Sequence, residues 1–96
     1  MKRLGGGMWQ NVTSLPTPLT VSGRSYRVEI EGMQRPDKTW AGRLAFHDGK
    51  DVRRTEQETS QPDRKALEYW ASGLEMVYLE GAFGRARSAD KNAGGS

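Results

Sequence analysis

Apolar and polar residues alternate twice in the middle of the chain. Tyr26, Val28 and Ile30 alternate with Arg27, Glu29 and Glu31, and Trp40, Gly42, Leu44 and Phe46 alternate with Ala41, Arg43, Ala45 and His47. A period of two is that of a half-buried strand, so two strands are predicted here. Between them Arg35-Pro36-Asp37-Lys38 is turn chemistry, with Pro presetting φ and Asp able to bond its own backbone. A loop of Pro36, Asp37 and Lys38 pairs Ile30 with Leu44 and Val28 with Phe46, which places both apolar sets on one face.

A second turn at His47-Asp48-Gly49 suits a type I turn closed by a left-handed glycine, and sets Leu44 opposite Val52. On that register a third strand over 51–58 directs Arg54, Glu56 and Glu58 to the apolar side. Inward charges are a device of edge strands, which they protect from pairing with another sheet. The expected outer face then carries Arg27, Glu29, Glu31, Ala41, Arg43, Ala45, His47, Arg53 and Thr55, with no aromatic among them.

A helix is predicted from about Gln61, with Ser60 or Gln61 as cap, Pro62 in the first turn and Asp63 beside the positive end of the dipole. Leu67, Trp70, Leu74 and Val77 form one stripe along it. Tyr69, Met76, Leu79 and Phe83 form a second, about 145° round at 100° per residue. One small sheet cannot cover both. Three resolutions follow: the helix ends at Gly73 and Met76 to Phe83 reorients as a second helix or a fourth strand; the N-terminal segment, with Met8, Trp9, Leu15 and Leu19, folds over the second stripe; or the stripe binds a partner.

The resulting fold class is α+β: a three-stranded antiparallel meander packed on a C-terminal helical region, in the order βββα. Residues 1–24, with a Gly triplet and Pro16-Thr17-Pro18, read as a mobile or extended arm. Residues 25–87 form the single domain, and 88–96 a frayed tail. At 96 residues a chain buries only about 60% of its unfolded surface, so there is room for one core.

Charge changes this picture little. The formal net charge is +3, but Lys2, Arg3 and Lys91 against Asp90 account for +2 of it, and residues 24–87 hold 12 Lys plus Arg against 11 Asp plus Glu. The absence of cysteine excludes disulfides, thiolate metal sites and cysteine-dependent catalysis. No stretch approaches the roughly 18 apolar residues of a membrane span, and a cytoplasmic location is expected. Gly5-Gly6-Gly7 lacks the Lys-Ser or Lys-Thr of a phosphate loop, and Asn11-Val12-Thr13 matters as a glycosylation acceptor only in a secreted protein. The only histidine, His47, reads as a turn residue. No catalytic residue, metal or cofactor is expected.

Three antiparallel strands followed by a helix, with Glu31-Gly32 ending the first strand, resemble the opening half of a ribonuclease-H-like fold over residues 25–73. That resemblance implies acids from the first strand, the first helix and a later strand around two metal ions. Glu31 and Glu68 supply only two and no later acid-bearing half follows, so no site residue is carried over. Residues 26–80, with Arg64-Lys65 at the helix start, are also similar to the double-stranded-RNA-binding domain, although that family opens with a helix and residues 1–24 are poor helix material.

The functional expectation is a non-enzymatic interaction module. Its contact residues are Tyr69, Met76, Leu79 and Phe83 with Trp9 in the arm, because aromatic and Met anchors are typical of interface cores, and its partner is another protein or a second copy of the chain in a homodimer. The alternative is nucleic-acid binding through Arg53, Arg54, Arg64 and Lys65.

Overall fold

The computed structural model describes residues 8–88. Two long central strands, β3 (Arg24–Gln34) and β4 (Trp40–His47), pair in the register the alternation predicts, with Ile30 opposite Leu44 and Val28 opposite Phe46. The loop closes between Arg35 and Thr39, and Asp37 Oδ1 accepts from both the Thr39 amide (2.9 Å) and the Thr39 hydroxyl (2.6 Å).

The antiparallel sheet has seven strands rather than the expected three. The segment read as an arm supplies β1 (Gln10–Ser14) and β2 (Leu19–Val21), both antiparallel to β3. Together they form one strand broken at Pro16–Pro18, where an edge tolerates residues without an amide donor. They enter β3 through Ser22 and Gly23, both at positive φ (51° and 79°), the two-residue turn that matches strand twist. A bulge between Asn11 and Thr13 sends Val12 onto the core.

The other side of β4 is broken in the same manner. β5 (Val52–Arg54) and β6 (Thr59–Gln61) both pair with β4, and residues 55–58 bulge out between them. Thr55 holds the break: its amide donates to Leu44 O (3.0 Å) and its Oγ1 accepts from Leu44 N (3.1 Å), replacing a backbone partner. A short β7 (Arg87–Ser88) adds to β5. Residues of the expected tail beyond Ser88 lie outside the described residues.

The β4–β5 turn corrects the third strand. Asp48 Oδ1 accepts from the amides of Lys50 (3.0 Å) and Asp51 (2.9 Å), which stretches the loop to residues 48–51 with Gly49 at φ 99°. His47 therefore opposes Val52, not Leu44, and an odd slip exchanges the faces. Arg53 points to the apolar side, Arg54 to the other face, Glu56 out into solvent, and Glu58 under the second helix.

The first helix, α1 (Arg64–Ser72), starts two to three residues later than expected, capped by Asp63, whose side chain accepts from Ala66 N at 2.8 Å. Gly73 ends it and α2 (Met76–Arg85) follows, the first of the three resolutions of the double stripe. The break rotates the pattern: Leu79 and Ala82 are buried and Phe83 packs on Tyr26 and Phe46 (ring centroids 4.7 and 5.3 Å), whereas Val77 turns outward. The β1 and β2 strands ahead of the meander, and the second helix behind it, fit neither family topology that the sequence resembles. No helix among the described residues is long and apolar enough to cross a membrane.

Leu67 seats α1 on the sheet. It is fully buried over Gly32 and Gly42, which are cross-strand partners; a Cβ on Gly32 would lie 2.7 Å from Leu67 Cδ2, and one on Gly42 2.5 Å from Leu67 Cδ1 and 2.9 Å from Thr59 Cγ2. Only glycine permits that approach. Gly42→Ala is expected to destabilise the fold by about 1–3 kcal/mol in urea denaturation. In a Leu67→Ala background the same substitution costs measurably less, because the methyl enters the space the leucine vacates.

Candidate functional site

The sheet face opposite the helices carries alternate residues of β3 and β4: Arg27, Glu29 and Glu31, then Arg43, Ala45 and His47. β5 and β7 add Arg54 and Arg87, directly opposite one another. Four arginines therefore share this face with two glutamates.

Glu31 organises its centre. It is a buried acid, 8% exposed, beside the glycine that receives Leu67 on the other face. Its Oε1 accepts from Arg43 Nε (2.7 Å) and Arg54 Nε (3.0 Å), and its Oε2 from Arg54 Nε (3.2 Å). Burial pushes the carboxyl up, but the hydrogen bonds and positive charges of Arg54 and Arg43 outweigh it and leave the pKa below the ordinary value. All three contacts use the Nε edge. Among the described residues, the Nη groups of Arg43 and Arg54 make no protein hydrogen bond, so both forks keep donors for another acceptor.

Trp9 joins the same face, its ring stacked on Arg43 with the guanidinium carbon 4.0 Å from the ring centroid. The face expected to lack aromatics thus has one. Further along, Glu29 accepts from Arg27 Nε (3.0 Å) and lies 3.0 Å from His47 Nε2, with which it makes no hydrogen bond.

The 55–58 bulge opens a cleft of about 590 Å³ beside this cluster, lined by Arg43, Arg54, Arg85 and Arg87 together with Thr55, Glu56, Gln57 and Glu58 of the bulge itself. Glu58 Oε1 accepts from Tyr78 Oη (2.5 Å) and Arg85 Nη2 (2.6 Å). Burial and the neighbouring carboxylate raise the Tyr78 phenol above its ordinary pKa, so it stays a donor. Among the described residues Arg87 has no ion-pair partner. The same residues contain no group of three His, Asp or Glu arranged to hold a metal ion.

The residues singled out by sequence are dispersed. Of the partner-binding set, Tyr69 (81% exposed) and Met76 lie outside, Leu79 and Phe83 serve the core, and Trp9 is on the opposite face of the sheet. Of the basic set, Arg54 belongs to the cleft. Arg53 lies on the helix side over Phe83, with its guanidinium carbon 5.0 Å from the ring centroid, and Arg64 sits at the start of α1, bonded to Gln10 and Glu68, with the exposed Lys65 next to it. Arg43, Arg85 and Arg87 belong to neither set, although the β3–β4 register already places Arg43 opposite Glu31. No protein-family model, curated protein or solved structure matches the chain.

Glu31→Gln is expected to cost about 1–3 kcal/mol at neutral pH, because two partly buried guanidiniums lose their shared anion. A carboxyl with a lowered folded pKa contributes stability that is complete above its unfolded value, 4.5, and is lost as pH falls through the folded one. Urea midpoints measured across that acid range fall less steeply for the variant. Asp37 and Asp48, also lowered, leave some slope in both proteins.

Proposed function

We propose that this chain is a non-enzymatic interaction module that takes an anionic ligand on the open sheet face. The observation that carries the reading is the pair of guanidiniums clamped by their Nε edges on buried Glu31, with their Nη groups unengaged beside a cleft that also holds Arg85 and Arg87. Fixing two arginine forks before a ligand arrives removes much of the ordering cost of binding. Planar, bidentate donors of this kind suit phosphate and carboxylate oxygens.

Titration with tripolyphosphate at low ionic strength tests the reading. Binding is expected, weakening as salt screens it, and Arg54→Gln combined with Arg87→Gln weakens it about ten-fold or more. The charge-matched control, Arg24→Gln with Lys50→Gln at the far turns, leaves it within about two-fold. Failure to bind at low salt, or equal losses in both variants, overturns the reading.

A second reading, self-association through the helices, is favoured by the exposure of Tyr69, Met76 and Val77. Sedimentation equilibrium supports it if a dimer forms and Tyr69→Ser with Val77→Ser dissociates it. A wild-type monomer at high concentration refutes it.

A further inference from the structure

We infer that the ligand of the arginine cleft is single-stranded nucleic acid, with phosphates on Arg43, Arg54 and Arg87 and a base on Trp9. This inference rests on the anion-binding reading and adds an observation that phosphate chemistry alone does not need, the aromatic ring beside the cluster.

Arg54 faces Arg87 across β5 and β7, and Arg43 lies on β4 two residues from Ala45, the partner of Arg54, so the three cross two strand spacings, about 10 Å, in a diagonal row over the open face. A row of that length follows a polyanionic backbone rather than a single ion. Its near end is Arg43, whose guanidinium carbon lies 4.0 Å from the centroid of the Trp9 ring. Trp9 is half-buried rather than enclosed, so part of its side chain stays accessible to a base next to the first phosphate. Bases stack on aromatic rings and arginine planes only when they are unpaired, so the strand must be single. Arg85 is tied to Glu58, which offsets its charge, and Glu56 in the lining limits affinity.

The first experiment is fluorescence anisotropy of a fluorescein-labelled oligothymidine with the full chain, as a function of salt. Three phosphate contacts give a slope of log K against log salt of about −2, and Arg87→Ala reduces its magnitude by about 0.7. Trp9→Ala weakens binding about ten-fold while Trp9→Phe retains most of it, and the Trp9 indole N–H signal shifts on titration. Poly-glutamate binding as tightly as oligothymidine, with the Trp9 signal unmoved, overturns the nucleic-acid inference and leaves the anion site standing. A duplex of the same length binding equally well overturns the single-strand assignment. No binding of either polyanion or tripolyphosphate at low salt overturns both.

Discussion

The ladder between β3 and β4 at residues 31–32 and 42–43 ties the two faces of the sheet to one registration. Gly32 opposes Gly42, and Leu67 fills the notch they leave on the helix side. One residue along, Glu31 opposes Arg43 and bonds to it on the other side. A slip of one residue would bring Ala41 or Arg43 opposite Gly32 in place of Gly42, put its side chain where the helix must sit and turn Arg43 to the helix side. Helix docking and arginine placement therefore rest on the same pairing.

The interruptions beside that ladder have different consequences. On the β3 side, the bulge at Val12 and the break at Pro16–Pro18 adjust an edge strand while returning Val12 and Leu19 to the core. On the β4 side, the departure at Thr55–Glu58 opens the cleft, and Thr55 Oγ1 satisfies the Leu44 amide that the bulge would otherwise orphan. The cleft adjoins both arginines that Glu31 holds. Its basic character comes from three chain segments, which is why the nearly neutral charge of residues 24–87 conceals it.

Much of the central fold was legible in the residues. The period-two runs over 26–31 and 40–47 and the Pro36-Asp37-Lys38 loop fix the first hairpin, and Gly73 marks the end of α1. The second turn was misread because an Asp side chain that caps two amides lengthens a loop in a manner that Asp-Gly alone does not reveal. That error exchanged Arg53 and Arg54. The N-terminal strands were missed because prolines and a bulge break their alternation, although Val21-Ser22-Gly23-Arg24 carries a two-residue hairpin signal. Trp9, a contact residue by its chemistry alone, reaches this face only through β1, whose pairing the local pattern does not show. Arg85 ends α2 and Arg87 follows in β7, and local pattern does not encode where that helix end meets the sheet.

Glu31 holding Arg43 and Arg54 by their Nε edges is the claim on which both the open face and its ligand chemistry depend. The most direct measurement is nitrogen-proton NMR of arginine side chains at mildly acidic pH, comparing the protein with its Glu31→Gln variant. Slowly exchanging, shifted Nε–H signals from Arg43 and Arg54, lost in the variant, are the predicted result. Nε–H signals from these two residues that exchange like those of exposed Arg24, and that ignore the substitution, would contradict it.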